Sequence, residues 1–255
     1  MNRILFLLTA IICTFSPYPL SARTGIWVEA FDKGNELYAK EQYAQALEQY
    51  QITLQSGYES WELFFNMGNA HYRSGNYPQA ILHYEKAARR NPKERDIQDN
   101  LTLAESKIAD RFECLPAFFV TAWWLGFIKI FSATGWAIAI PVLLLLALTG
   151  LFFYLSGHTY GKKRAGFYAL LIFSALCILA MVAAAGVYND SKKEYAIVMQ
   201  VSVDAKTSPE ERSQTAFILH EGSKVLIEDR IGTYGKVRIK NGSRAWVPLE
   251  CLEMI

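Results

Sequence analysis

Two long uncharged apolar runs, residues 135–155 and 166–188, constrain the fold of this chain most strongly. Each has about 20 residues, and a helix of that length, rising ~1.5 Å per residue, crosses a hydrocarbon core ~30 Å thick. A surface helix of a soluble protein would keep a polar face, and neither run contains one. The runs therefore predict two transmembrane helices.

The segment between the runs, residues 156–165, contains three adjacent basic residues at 162–164. Basic residues in a short loop mark the cytoplasmic side of a membrane. A hairpin with a cytoplasmic loop leaves both flanking segments on the opposite face. We therefore expect extracytoplasmic domains at 23–113 and 192–255.

The first 22 residues have the pattern of a secretory signal peptide. Arg3 precedes the apolar run 4–15, and the small residues Ser21 and Ala22 follow. Cleavage after Ala22 is expected, and an uncleaved anchor is the alternative.

A repeat with a period of 34 residues follows. The first copy contains Gly34, Asn35, Tyr38, Tyr43, Gln45, Ala46 and Tyr50, which recur as Gly68, Asn69, Tyr72, Tyr77, Gln79, Ala80 and Tyr84. Small and aromatic residues at this period are the signature of the tetratricopeptide (TPR) helix–turn–helix repeat.

The repeat residue types predict a packing scheme. Gly68 and Ala80 should let the two helices of a repeat approach closely, Tyr77 and Tyr84 should fill the gap to the next repeat, and Pro92 should end the second helix. Apolar residues at helical spacing over 93–112 predict a capping helix. We therefore assign 23–113 to a TPR domain of two repeats plus a cap, which leans on a partner, the bilayer or its own copy.

The first helices of successive TPR repeats should line a concave groove. The expected groove residues are Phe31, Asn35, Tyr38, Phe65, Asn69, Tyr72 and Arg73. Asn35 and Asn69 lie one repeat apart and should be solvated, so that their amides could hydrogen-bond an extended peptide. Alternatively, both asparagines are only solvated groove residues that bind nothing.

Residues 114–131 form a shorter apolar run that contains Trp123, Trp124 and Lys129. Aromatic and basic residues favour an amphipathic segment at the membrane interface. The alternative is a third span, which would place the two outer domains on opposite faces.

After residue 188 the pattern changes to strands. Five are expected, at 195–203, 223–230, 234–240, 244–247 and 249–255. Asn241-Gly242 predicts a type I′ hairpin turn. Short strands over 192–255 indicate a small barrel. The order of its blocks, 196–198, 219–222, 235–239 and 245–247, resembles the bacterial SH3-like fold. The resemblance implies a binding groove lined by Tyr234 and Trp246. The alternative for Trp246 is a plug in the core.

Charge and motifs exclude several function classes. Residues 23–113 carry 11 basic and 14 acidic groups, and residues 189–255 carry 10 of each, so that neither domain has the positive field needed to bind nucleic acid. The chain lacks the HExxH, GxSxG and phosphate-loop patterns. We therefore expect a protein that is not an enzyme and has no metal site or cofactor.

The fold expected is a multidomain membrane protein, with an α-helical TPR solenoid, a two-helix transmembrane hairpin and a small all-β SH3-like barrel. That order, with the blocks Asn66–Gly68 and Tyr77–Tyr84 and the later Gly222 and Trp246, resembles the BatE family of aerotolerance-operon proteins. The resemblance implies a scaffold that acts with von Willebrand factor A-domain membrane proteins and a MoxR-type ATPase in stress tolerance or envelope protein maturation.

Two functions remain open at this point. One is a scaffold on the extracytoplasmic side of a bacterial inner membrane, which presents a TPR groove to other membrane proteins in an envelope complex for stress or oxygen tolerance. The other is a sensor or anchor whose barrel binds peptidoglycan. Recovery of membrane partners through 23–113 would favour the first, and binding of the barrel to cell wall the second.

Overall fold

The computed structural model describes residues 24–110, 119–128 and 130–255. Five helices come first: α1 (Thr24–Ala39), α2 (Tyr43–Gln55), α3 (Trp61–Arg73), α4 (Tyr77–Arg90) and α5 (Arg95–Glu105). Three follow: α6 (Phe119–Ile128), α7 (Ala133–Ser156) and α8 (Tyr160–Ser191). The strands are β1 (Glu194–Val198), β2 (Ser202–Lys206), β3 (Thr215–His220), β4 (Lys224–Ile231), β5 (Tyr234–Arg238), β6 (Arg244–Pro248) and β7 (Leu252–Met254). The predicted signal peptide lies outside the described residues, as does part of the predicted interfacial segment.

Local sequence sets the ends of the repeat helices. The Ser60 hydroxyl accepts a hydrogen bond from the backbone N–H of Leu63 at the start of α3. The Asn76 side chain caps α4 in the same way, and Pro78 occupies its first turn, where no backbone donor is needed. Helix α4 ends at Arg90, two residues before Pro92, as predicted.

The two helices of each repeat meet at a glycine. A Cβ at Gly34 would lie 2.5 Å from the ring of Tyr50, and one at Gly68 would lie 2.6 Å from the ring of Tyr84. The predicted close approach at Gly68 is therefore confirmed. The role predicted for Tyr84 was incomplete, because its ring first fills the space over Gly68 within its own repeat.

Helices α7 and α8 form an antiparallel hairpin, and among the described residues they are the helices long and apolar enough to cross a membrane. They touch through glycines, since a Cβ at Gly150 would lie 2.6 Å from the backbone N of Leu170. Apolar side chains on the outside are exposed, as at Leu145 (64%) and Leu155 (68%). A large exposed apolar surface of this kind marks a membrane or protein interaction site.

The connection within the hairpin is shorter than predicted. Only residues 157–159 separate α7 from α8, whereas the sequence suggested a loop over 156–165. The basic residues 162–164 lie in the first turns of α8, because Lys and Arg are good helix formers and no proline follows them.

Helix α6 has 10 residues and packs against the hairpin. Ile128 is buried with Trp136 and Ala183, and the Trp136 indole N–H donates to the Ile128 carbonyl (3.1 Å). Trp123 points away from this contact and is 71% exposed. A helix of 10 residues is ~15 Å long, about half of a bilayer core.

The strands form one antiparallel sheet in the order β3-β2-β6-β5-β4-β1-β7. The sheet is open: β3 and β7 are its edges, and no pairing among the described strands joins them. The predicted barrel closure is thus not supported. The single strand predicted at 195–203 is in fact two strands, β1 and β2, which are not neighbours in the sheet. The prediction was wrong because no glycine or proline marks the bend at 200–201. Strand β3 was missed because its sequence, Thr-Ala-Phe-Ile-Leu-His, does not alternate between apolar and polar residues.

The β5–β6 hairpin was predicted correctly, but its turn type was not. Gly242 has φ of 88°, and its N–H donates to the Ile239 carbonyl (2.9 Å). A type I′ turn also needs a positive φ at Asn241, and among the described non-glycine residues only Glu41 has one. The Asn241 side chain instead accepts from the Ser243 N–H.

The sheet docks on the outer face of α4 and α5. Ile197 of β1 is fully buried in one cluster with Ile81 and Ala104. Gly222 fits against α4 and the segment after α5, since a Cβ there would lie 2.5 Å from the Ile108 side chain. The support that the small repeat array was expected to need therefore comes from the chain's own C-terminal sheet.

Asp110 joins the two units by polar contacts. Its carboxylate accepts from the His220 backbone N–H (2.8 Å), the His220 ring Nδ1 (2.7 Å) and the Ser223 hydroxyl (2.5 Å). Burial alone would raise the pKa of Asp110, but the hydrogen bonds from Ser223 and His220 hold it below its usual value. Lys224 adds an ion pair with the buried Glu85 (2.6 Å).

Candidate interaction surface

A polar network repeats along the helices with the 34-residue step. The Oδ1 atom of Asn35 accepts from the Tyr50 hydroxyl (2.9 Å) and from Asn66 Nδ2 (2.9 Å). One repeat later, Asn69 Oδ1 accepts from the Tyr84 hydroxyl (2.8 Å) and from Asn100 Nδ2 (3.0 Å). Asn35 and Asn69 thus each link the two helices of their own repeat to the first helix of the next unit.

The network corrects the expectation that Asn35 and Asn69 are simply solvated. Both are half-buried, and the donors Tyr50 and Tyr84 are each 1% exposed. Burial raises the pKa of both tyrosine hydroxyls, which therefore remain proton donors. The sequence register placed the asparagines near the groove, but their oxygens are already used to hold the repeats together.

A pocket of about 290 Å³ lies on the concave side, where α1, α3 and the start of α5 face one another. Its lining residues are Phe31, Asn35, Trp61, Glu62, Phe65, Asn66, Glu94 and Asp96. Three of the seven predicted groove residues, Phe31, Asn35 and Phe65, are brought together there. The pocket is at the lower end of the volumes of small-molecule sites, which start at roughly 300 Å³. It is therefore large enough for one or two side chains of a partner.

The other predicted groove residues lie outside this pocket. Tyr38 packs edge-on against Tyr43 (5.4 Å between ring centroids), and Tyr72 packs in the same way against Tyr77 (5.5 Å). The neighbouring Tyr38 hydroxyl raises the pKa of Arg73. Asn69 belongs to the polar network described above.

Sequence reasoning missed the acidic rim of the pocket. Glu62 and Asp96 lie 34 residues apart, so that the repeat period relates them. They occupy the first turns of α3 and α5, and Glu94 immediately precedes α5. None of the three carboxylates forms an ion pair within the part of the chain that the structure describes. Carrying the period from Trp61-Glu62 to Arg95-Asp96 would have revealed the pair.

On the sheet, Tyr234 and Trp246 do not share one cleft. Tyr234 lines an open cleft of about 750 Å³ with Pro248 and Leu249. Trp246 is half-buried and lies between Ala245 and Val247, both of which face the core, so that its side chain is on the opposite face. Trp246 therefore neither lines that cleft nor plugs the core.

Two histidines of the second repeat stack on each other. The rings of His71 and His83 lie 5.2 Å apart and nearly parallel. Burial lowers the pKa of His83 to about 3, and the positive charges of His71 and Lys86 act in the same direction. His83 Nδ1 has no hydrogen-bond partner in the described structure. No group of three or more potential metal ligands occurs among the described residues.

Comparison with known proteins supports the repeat. A tetratricopeptide-repeat family model matches residues 31–95, which run from the middle of α1 to the start of α5. A search of curated proteins gave no match. The match covers both glycine–tyrosine contacts and most of the polar network. The chain is therefore a TPR-containing protein, with two further helices that could span a membrane and an open antiparallel sheet.

Proposed function

We propose that this protein is a membrane-anchored scaffold that holds a segment of another protein in its TPR groove and acts by binding rather than by catalysis. The observation that carries the proposal is the concave pocket at α1, α3 and α5, which has an aromatic floor and carboxylates without partners in the described structure. TPR repeats suggest protein–protein interaction, and the sheet covers the outer face of α4 and α5 while the pocket stays open.

The docked sheet supports a topology with both units on one side of the membrane. Asp110 contacts His220 and Ser223, so the chain must return to the same side between 110 and 220. An even number of crossings is then required, and α7 with α8 supplies two. The basic residues 162–164 at the tip of the hairpin favour a cytoplasmic tip, which supports an extracytoplasmic position for both units.

The resemblance to the BatE family suggests which complex the scaffold belongs to. It favours the extracytoplasmic side of a bacterial inner membrane, partners among von Willebrand factor A-domain membrane proteins with a MoxR-type ATPase, and a role in stress or oxygen tolerance. The short interfacial helix α6, with exposed Trp123, would lie along the membrane surface.

Photo-crosslinking in native membranes tests the proposal. Benzoylphenylalanine replaces Phe31 inside the pocket and, as a control, Glu48 on the exposed side of α2. We expect a defined partner to crosslink at position 31 and not at position 48. If both positions capture the same proteins, or if position 31 captures none, the groove is not the binding surface.

A second candidate function is favoured by the cleft beside Tyr234, which is open and has polar and apolar lining residues. It could hold a cell-wall peptide or glycan. The full chain in nanodiscs should then sediment with purified peptidoglycan, and Tyr234→Ala should abolish this. Sedimentation that is equal for both proteins would exclude this cleft as a cell-wall site.

A further inference from the structure

We propose that the concave pocket binds a positively charged segment of a partner protein in which an apolar or aromatic side chain lies beside Lys or Arg. This inference rests on the proposed scaffold function and names the chemistry of the partner. A pocket lined by Lys or Arg would instead select an acidic segment.

The floor of the pocket supplies the apolar half of the recognition. Phe31 and Phe65 come from the first helices of the two repeats at equivalent positions, and Trp61 lies one helical turn before Phe65. The Phe65 ring is fixed against Tyr84 (5.9 Å) and that of Phe31 against Tyr50 (6.0 Å). A preformed aromatic floor needs little ordering on binding, and buried aromatic anchors commonly dominate the affinity of an interface.

The rim supplies the charge preference. Glu62, Glu94 and Asp96 line the pocket and have no ion pair within the described residues. Many carboxylates elsewhere in the described structure are paired, as in Glu59 with Arg90 and Glu85 with Lys224. Three neighbouring carboxylates repel one another, and a cationic side chain relieves this repulsion. The net negative charge of residues 23–113 adds attraction at longer range.

The polar network leaves groups for an extended backbone. The Oδ1 of Asn35 and the Nδ2 of Asn66 are used within the protein. The Nδ2 of Asn35 and the Oδ1 of Asn66 form no hydrogen bond in the part of the chain that the structure describes. One donor and one acceptor therefore remain at the pocket, as a peptide bond requires.

Peptide binding to the full chain in nanodiscs tests the inference. Two fluorescent ten-residue peptides carry the same Leu and Phe residues, alternating with Lys and Arg in one and with Asp and Glu in the other. Fluorescence anisotropy should show binding of the cationic peptide only, and affinity should fall as salt rises. Glu62→Gln with Asp96→Asn should weaken it at least ten-fold. Glu36→Gln with Glu48→Gln removes two charges outside the pocket and should weaken it by less than three-fold.

Other outcomes contradict the inference. Equal binding of both peptides, equal loss in the two double variants, or no binding of the cationic peptide would each overturn it, and far-ultraviolet circular dichroism verifies that the variants are folded. The crosslink at position 31 separates this failure from failure of the scaffold function. A partner whose crosslinked segment is acidic, or is a second copy of this chain, would refute the charge preference while groove binding stands.

Discussion

Replacement of Asn69 by alanine should destabilise the repeat unit, because the Asn69 oxygen connects three helices. The substitution removes the acceptor for the Tyr84 hydroxyl and for Asn100 Nδ2. Tyr84 is 1% exposed, so water cannot replace the lost acceptor. An unsatisfied buried donor costs roughly 1–3 kcal/mol, and the half-buried Asn100 loses a bond of about 0.5–1.5 kcal/mol. Alanine returns up to ~0.7 kcal/mol of helix propensity.

The net loss is therefore about 1–4 kcal/mol, and it should appear locally. Amide hydrogen exchange of the full chain in nanodiscs, read by mass spectrometry, reports the opening free energy of each helix. Every ~1.4 kcal/mol corresponds to a tenfold change, so exchange in α3, α4 and α5 should accelerate roughly five- to several-hundredfold. Exchange in the β4–β5 hairpin should change much less.

Tyr84→Phe is the matched control. It removes the hydroxyl instead of its acceptor, and the Asn69 oxygen keeps its bond from Asn100. The phenylalanine ring still covers Gly68. The expected cost is about 0.5–1.5 kcal/mol, and the two changes together should cost less than the sum of the single ones. Exchange in Asn69→Ala within twofold of wild type, or full additivity, would refute the proposed network.

Three further results are expected. Gly68→Ala should destabilise α3 and α4 by roughly 1–3 kcal/mol, partly offset by helix propensity, because the new Cβ would lie 2.6 Å from the Tyr84 ring. The control Gly25→Ala, whose Cβ meets no atom within 4 Å, should be neutral by hydrogen exchange. His83 has a pKa of about 3 in the folded protein, below the ~6.5 of the unfolded chain. The neutral His83 therefore stabilises the fold fully above pH 6.5, and this stabilisation is lost as the pH falls. The free energy of unfolding should consequently depend less on pH in His83→Phe than in the wild type. Reporters fused after residue 162 and at the C-terminus should show a cytoplasmic and an extracytoplasmic location, and the reverse would contradict the hairpin orientation.

The repeat helices could be predicted from sequence because their contacts are local and recur. Gly68 and Tyr84 lie 16 residues apart, and the same pair occurs at Gly34 and Tyr50, so the period itself identifies partners. The apolar runs were equally clear, since length and lack of charge identify a helix that could span a membrane.

Contacts between distant segments could not be predicted. Asp110 and Ser223 are 113 residues apart, and no pattern in either segment points to the other. The docking of the sheet and its open edges depend on such contacts. The structural role of Asn35, which accepts hydrogen bonds in addition to lining the pocket, could not be predicted either. Helix periodicity gives the face on which a residue lies but not which side chain of the next helix reaches it.

This second role changes how the groove can be tested. Asn35 both lines the pocket and accepts from Tyr50 and Asn66. Removal of the two groove asparagines, the test that the sequence suggests, would therefore weaken the fold together with any binding. The carboxylates Glu62 and Asp96 allow a cleaner test, since neither belongs to the polar network of the described repeats and amide replacements keep their shape.

The docked sheet also determines which form of the protein must be used. Repeat arrays usually need at least three units, and here α5 supplies the first helix of a third unit, with Asn100 in the place of Asn66. No second helix of that unit follows among the described residues; instead, Ile197 of the sheet covers Ile81.

Exposed ion pairs such as Lys240–Glu105 contribute only about 0–1 kcal/mol, so apolar burial and the Asp110 contacts account for most of the attachment. A fragment of residues 23–113 would expose this apolar face and lose the sheet that supports α5, which carries part of the acidic rim. Binding measured on such a fragment would report a different pocket, and the charge preference must therefore be measured on the full chain.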